Sequence, residues 1–201
     1  MIKNIIFDVG DVLFHYRWKE MFMDYGVSKE EGMRIGKEIF DDPKERWLQF
    51  DKGLLTLEEL IASYAESYPK DAEVISFFLH HGEYMPVAHP EAWKFFPLLK
   101  EKGYHIYLLS NYSKELFERH TEHADFMEYL DGKMVSYMVN VLKPDAKIYQ
   151  CLCDTYGLKA EECLFFDDRK ENVEAAIAFG MKAMQVVSRQ GLVEELEKLM
   201  E

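Results

Sequence analysis

The chain has 201 residues, 48% of them hydrophobic and 30% charged, and a formal net charge of -13. That length fits one domain with a substantial insertion or two small domains, and the composition is that of a folded globular chain, outside the disordered range. The acidity, with no Lys/Arg cluster to offset it, excludes nucleic acid and anionic membrane surfaces as natural partners, although a small phosphorylated ligand remains compatible with a local cation or bound metal.

The first predicted element is a strand. Ile5, Ile6 and Phe7 form a short apolar run of β-branched and aromatic residues suited to a central strand buried on both faces. Such a strand leaves no room for a charge, so Asp8 marks its end and carries a carboxylate to the top of a sheet, where Gly10 lets the backbone turn. No apolar run approaches the roughly 18 residues of a membrane span, and Asp8 interrupts the apolar start before a signal-peptide core can form. The three cysteines, Cys151, Cys153 and Cys163, are an odd number in apolar surroundings, which points to a reducing, cytoplasmic setting rather than a disulfide framework.

After Leu13 the pattern turns helical for about seventy residues. Apolar residues recur at three- and four-residue spacings from Trp18 to Phe40 and from Leu57 to Leu79. Thr56 and Glu59 make a capping box for the second stretch, and Asp51-Lys-Gly53 before it reads as a turn. Aromatic residues are dense here, and most are expected to fill the core of a helical insertion, with one or two facing a ligand. From Pro90 onward helices and strands alternate. Helices are predicted over Pro90–Lys102, Ser113–His120, from Pro144 to about Tyr156, Glu171–Phe179 and Leu192–Met200. Strands are predicted over Tyr104–Leu109, within Lys133–Val141, over Cys163–Phe166 and near Ala183–Val187. This alternation implies an α/β fold, a doubly wound, Rossmann-like parallel sheet covered on both faces with right-handed connections. The insertion interrupts it directly after strand one, with boundaries near His15 and Val87–Pro90, and is placed to lie over Asp8 as a lid.

Ligands bind at the carboxyl ends of strands in open α/β sheets. Asp8, Ser110 with Asn111, Lys143, and Asp167 with Asp168 all fall at such ends or in the loops beyond them. Hard anionic oxygens select Mg²⁺ over zinc, while a hydroxyl, backbone N–H groups and a lysine suit phosphate oxygens. The constellation amounts to a divalent-metal and anion pocket. Among the histidines, His120 and His123 could share a helix face but lack a third ligand, and His15 lies just past Asp8, within approach of a substrate.

The segments IIFDVGDVL, YLLSN, LKPDAKIY and LFFDDRKENVEAA, in that order, resemble the four motifs of the haloacid dehalogenase-like (HAD) hydrolase superfamily. The inserted helices resemble the C1 cap of its subfamily I. Asp-x-Gly-x-Val in the first motif and WLQFDKGLLTLEEL in the insertion look most like the α-D-glucose-1-phosphate phosphatase branch. The resemblance implies a HAD-like α/β core domain over residues 1–15 and 88–201 and a helical cap domain over 16–87. It implies a phosphomonoester hydrolase acting on a small phosphorylated metabolite, a sugar phosphate, through an aspartyl-phosphate on Asp8. By the same resemblance Ser110 and the Asn111 backbone hold phosphate, and Lys143 stabilises phosphate and Asp8. Mg²⁺ is coordinated by Asp8, the Gly10 carbonyl and Asp168, with Asp167 as second ligand or orienting group and Asn172 behind them.

One position departs from the family pattern, which has a second aspartate as general acid/base two residues after the nucleophile. Here that position is Gly10, and Asp11 would point elsewhere on a continuing strand. Two alternatives follow: a metal-independent 2-haloacid dehalogenase using the same aspartate, and a catalytically weak phosphate-binding protein. The pattern sets no oligomeric state.

Overall fold

The computed structural model describes residues 1–201. In chain order its strands are β1 (Asn4–Phe7), β2 (Phe14–Tyr16), β3 (Pro86–Ala88), β4 (His105–Ser110), β5 (Gly132–Val135), β6 (Cys163–Asp167) and β7 (Lys182–Gln185). Five of them form one parallel sheet in the order β5-β4-β1-β6-β7. All four residues of β1 are buried, and its side chains alternate between two cores. Ile5 and Phe7 join a large cluster with Phe96, Leu99 and Leu196, and Ile6 joins a smaller one with Ile148, Tyr149, Leu152 and Ala176. The apolar run was therefore the signature of a strand covered on both faces.

The chain leaves β1 toward β4 on one side and β6 on the other, so strand order reverses beside β1. The crevice at that reversal, outside the carboxyl ends, is where an open α/β sheet binds ligands. β2 and β3 pair antiparallel, Phe14 with Ala88 and Tyr16 with Pro86. Between them run α1 (Trp18–Asp24), α2 (Lys29–Phe40), α3 (Arg46–Asp51), α4 (Leu57–Ser67) and α5 (Ala72–His80). Their packing is aromatic: Phe22 stacks on Phe78 with centroids 4.7 Å apart, and Phe40 meets Trp47 edge-on at 4.8 Å. Thr56 and Glu59 form the reciprocal cap expected of them. The remaining helices are α6 (Pro90–Trp93), α7 (Phe95–Glu101), α8 (Lys114–Thr121), α9 (Ser136–Val139), α10 (Ala146–Tyr156), α11 (Lys170–Phe179) and α12 (Arg189–Met200). No helix is long and apolar enough to cross a membrane.

The strands β2 and β3 are not expected from the sequence, and three further details differ from that reading. The helix expected over Pro90–Lys102 is two helices meeting at Lys94, because Pro97 has no N–H to return to the Trp93 carbonyl. Pro144 lies outside α10, whose cap is Asp145 accepting from the Lys147 N–H at 2.9 Å. Asp51 is the last residue of α3, and the turn falls at Lys52 and Gly53.

Candidate active site

Asp8 sits just past β1 with three donors on one carboxylate oxygen. Its Oδ1 accepts from the Val9 N–H at 2.7 Å and the Ser110 hydroxyl at 2.5 Å, and lies 2.9 Å from Lys143 Nζ. The ammonium of Lys143 also donates to Asp167 Oδ2 at 2.6 Å and to the Leu109 carbonyl at 2.9 Å, so its three hydrogens are all directed. Asn111 fixes the lysine from the other side. Its side-chain amide accepts from the Lys143 N–H at 2.8 Å and donates to the Lys143 carbonyl at 2.9 Å. The Asn111 side chain thus holds a backbone segment, a role invisible in the sequence.

Asp167 and Asp168 divide their work. Asp167 is fully buried and committed: besides Lys143 it accepts from the Arg169 N–H at 2.9 Å and from Asn172 Nδ2 at 2.9 and 3.1 Å. The Asp168 carboxylate has no hydrogen-bond or ion-pair partner, and its backbone carbonyl accepts from Gln185. Carboxylate oxygens of Asp8, Asp167 and Asp168 lie within 4.8 Å of one another.

The charges of this cluster do not balance. Three carboxylates against one lysine leave two negative charges in a largely buried site. Burial, then Asp167, push the Asp8 carboxyl up to about 6 against the pull of Lys143 and Ser110. Burial followed by Asp8 and Asp167 pushes Asp168 up to about 7. Burial disfavours the charge on Lys143, but Asp8 and Asp167 outweigh it and hold the ammonium above the ordinary lysine range. The Oδ1 of Asn172 is buried with no partner, an acceptor left over after its amide hydrogens go to Asp167. A surplus of two negative charges, a free Asp168 carboxylate and an orphaned acceptor fit a hard divalent cation held by oxygen.

The cavity over these residues has a volume of about 510 Å³, and its walls include Asp8, Gly10, Ser110, Asn111, Lys143, Asp168 and Asn172 together with Tyr16, Phe40, Trp47 and Asp51 from the insertion side. A smaller chamber of about 240 Å³ adjoins it, lined by Tyr16, Trp18, Phe40, Trp47, Met85 and Tyr112 among others. Three aromatics of the helical segment, Trp18, Phe40 and Trp47, line this open space. Asp8, Gly10, Ser110, Asn111, Lys143, Asp167, Asp168 and Asn172 are brought together, Asp51, Tyr16 and Tyr112 join them unpredicted, and His120, weighed only beside His123, lines the adjoining chamber. Asp51 is buried at the end of α3, where desolvation raises its carboxyl to about 7 against the Ser113 amide and Trp47 indole. None of the other histidines lines either chamber, whereas Asp11 lines both. His15 is exposed and pairs with Asp11 at 3.0 Å, His123 is exposed beyond α8, and Asp11, at φ +52°, spends its carboxylate on His15 and the Tyr16 N–H.

The sheet and site define an α/β protein whose site is built around an aspartate at a strand end. The family model of haloacid dehalogenase-like hydrolases matches residues 2–180, and the chain belongs to that family. It is 27% identical to phosphatase MT3486 of Mycobacterium tuberculosis, over 98% of this chain and 95% of that one. Among solved structures it is similar to a HAD-like family hydrolase of Porphyromonas gingivalis, with a TM-score of 0.73 and 22% identity over 100% of this chain and 98% of that one. It is also similar to the HAD family enzyme bt-2542 of Bacteroides thetaiotaomicron, solved with magnesium and inorganic phosphate, with a TM-score of 0.69 and 22% identity over 92% of this chain and 94% of that one. The structural likenesses speak to the fold.

Proposed function

We propose that this protein is a Mg²⁺-dependent phosphomonoesterase in which Asp8 is the nucleophile, residues 1–15 and 88–201 form the core, and residues 16–87 form a cap. The observation that carries this reading is the unbalanced carboxylate cluster around Asp8, with Lys143 and Ser110 on one side and the unpaired Asp168 on the other. Asp8 attacks phosphorus, the bond to the leaving oxygen breaks, and water then displaces the carboxylate to release inorganic phosphate. Lys143 and Ser110 hold Asp8 and take equatorial phosphate oxygens, joined by the Asn111 N–H. Asp8, the Gly10 carbonyl and Asp168 would hold Mg²⁺, with Asp167 locking Lys143 and Asn172 presenting its free oxygen. The bound cation neutralises charge on the transferring group and lowers repulsion between phosphate and carboxylates.

The substrate we assign is a small phosphorylated metabolite, with a sugar phosphate the first choice. The ring faces of Trp47, Phe40 and Tyr16 suit the apolar face of a compact leaving group, and Asp51 and Asn111 offer polar partners. MT3486 bears the name phosphatase and bt-2542 was solved with magnesium and phosphate, both of which support the reading. Three free cysteines, two of them buried, and a net charge of -13 support a cytoplasmic protein without nucleic-acid partners.

Phosphate release from sugar phosphates, nucleotides and other phosphomonoesters tests the assignment. Wild type should turn over at least one group with Mg²⁺ and stop in chelator, and Asp8→Asn should lose at least about 10³-fold. Mg²⁺ alone should raise the melting temperature of wild type and much less that of Asp168→Asn. Halide release from a 2-haloacid in chelator would replace this reading with the dehalogenase one.

A further inference from the structure

The smaller chamber beside the Asp8 cavity has a volume of about 240 Å³ and is walled chiefly by the rings of Tyr16, Trp18, Phe40, Trp47 and Tyr112. Its hydroxyls and its one imidazole are tied to one another. The Tyr16 hydroxyl is bonded to that of Tyr112, the Tyr112 hydroxyl lies 2.7 Å from His120 Nδ1, and His120 Nε2 lies 2.8 Å from the Gly82 carbonyl. A carbonyl only accepts, so Nε2 carries the hydrogen, and burial, which pulls the ring down to about 4, keeps it neutral.

Charge on this wall has one sign. No lysine or arginine lines the chamber, and its two acids are Asp11 and Asp51. Lys19 lies over the Trp18 ring, 5.2 Å from its centroid, but is not part of the wall. Asp11 is spent on His15 and on the Tyr16 N–H. Asp51 is only 8% exposed, and burial lifts its carboxyl to about 7 with no cation facing it. A buried acid without a counterion costs stability, so its place on a cavity wall calls for a partner from outside the chain. The cations of the site lie at the other end: Lys143 and Arg169 line the Asp8 cavity and not the chamber. Both spaces share Tyr16, Trp47, Asp51 and Tyr112, so a ligand with its phosphate at Asp8 can lay its other end among the rings.

Resting on the phosphomonoesterase reading above, we propose that this chamber is an ammonium site: the substrate is a phosphomonoester whose leaving alcohol, an amino alcohol or an amino sugar, carries a positively charged nitrogen, with Asp51 as its counterion and specificity residue. Aromatic faces attract a cation while covering the apolar carbons around it, and a carboxylate among them supplies the opposite charge. A neutral leaving group would satisfy the rings and leave Asp51 unpaired. A hard metal ion would find one free carboxylate where it needs about six oxygens. The site is thus polarised along its length, positive where phosphate docks and negative where the leaving group lies.

Matched esters separate charge from shape. Phosphocholine and 3,3-dimethylbutyl phosphate differ by nitrogen for carbon, and glucosamine 6-phosphate and glucose 6-phosphate by an ammonium for a hydroxyl. In wild type with Mg²⁺, at least one ammonium ester should exceed its neutral partner by about 10-fold or more in kcat/KM, and the pair that shows it tells amino alcohol from amino sugar. Asp51→Asn should bring that ratio to within about 3-fold of unity, chiefly by raising KM for the ammonium ester. Binding is read apart from turnover by tryptophan fluorescence, since Trp18 and Trp47 line the chamber. Choline or glucosamine should change it saturably in wild type, 3,3-dimethylbutan-1-ol and glucose should not, and Asp51→Asn should lose the response. A ratio near one for both pairs in wild type, or a preference that survives in Asp51→Asn, overturns the proposal. Wild type that releases no phosphate from any ester fails the phosphomonoesterase reading instead. The fluorescence titration then decides the chamber alone, and no response, or an equal one to charged and neutral ligands, overturns the ammonium site.

Discussion

Lys143 and Asp51 illustrate opposite ways of burying a charge. Lys143 sits between two carboxylates and a carbonyl, so its desolvation is offset by directed partners. Replacing it by methionine keeps the volume and strands Asp8 and Asp167 as unopposed buried anions. The expected loss is about 3–5 kcal/mol in urea unfolding, larger at pH 8 than at pH 5, where protonation of Asp8 relieves part of the repulsion. Asp51 has no such counterion, and its carboxyl rises from 3.8 to about 7. The folded protein then binds the proton that the unfolded chain has already released between those values, so stability falls as pH rises through that window. Asp51→Asn should raise the melting temperature at pH 8, by an amount equivalent to at most about 4 kcal/mol, and the gain should shrink toward pH 5. A gain equal at both pH values would show that Asp51 titrates normally. The reactive residues were legible because each ends an apolar strand or opens the loop after it, a local signal. Asp51 and the Tyr16–Tyr112–His120 chain were not, since Tyr16 and Tyr112 are 96 positions apart and meet only through the tertiary fold.

Elements were readable where both ends carry their own chemistry. Thr56 with Glu59 opens α4, Gly157 and Gly180 close α10 and α11 in the left-handed conformation, and these helices fall where the sequence put them. α3 has only the closing one, a left-handed Gly53 whose N–H returns to the Phe50 carbonyl while the Leu54 N–H returns to Gln49. Glu45 before it is left-handed with no side-chain cap, and the helix is six residues long, too short to show a period. Tertiary contacts make it instead. Arg46 at its start lies in a buried pair with Asp42 and packs over the Tyr64 ring, its guanidinium carbon 4.6 Å from the centroid. Its other end relies on the core: the Ser136 hydroxyl donates to the Asp51 carbonyl, and Asn140 Nδ2 donates to the Lys52 carbonyl at 2.6 Å. Two carbonyls that a helix C-terminus leaves unpaired are thus satisfied by side chains 85 and 88 positions away.

At the scale of the molecule those two bonds tie the α3 end of the helical segment to the core, as the Arg119 and His120 bonds to the His80 and Gly82 carbonyls tie its other end. The segment is joined to the core covalently only through β2 and β3, a three-residue antiparallel pair. A hinge that short leaves rotation free unless other contacts hold it, and one such contact is α3, ending in Asp51 at the wall of the cavity. The Ser136 and Asn140 bonds to its last carbonyls therefore act as a latch that keeps Trp47 and Asp51 over Asp8. Ser136 is fully buried and also takes the Tyr112 N–H at 2.8 Å, so removing it would disturb the core as well. Asn140 is more exposed and tests the latch alone. Asn140→Ala removes one hydrogen bond at a partly wet site, about 0.5–1.5 kcal/mol. On the cap reading proposed above, closure precedes chemistry, and the loss should fall on the closed state rather than on global stability. KM for the best substrate should rise several-fold, kcat should change little, and the melting temperature should drop by no more than about 3 °C. Amide hydrogen exchange should speed up in Arg46–Gly53 and stay unchanged in β1 and β6. A variant whose exchange rises uniformly across the sheet, or whose KM does not move, would mean that packing of the 36-residue core, which runs without a break from β1 into the helical segment, fixes the segment and the two side chains merely decorate it.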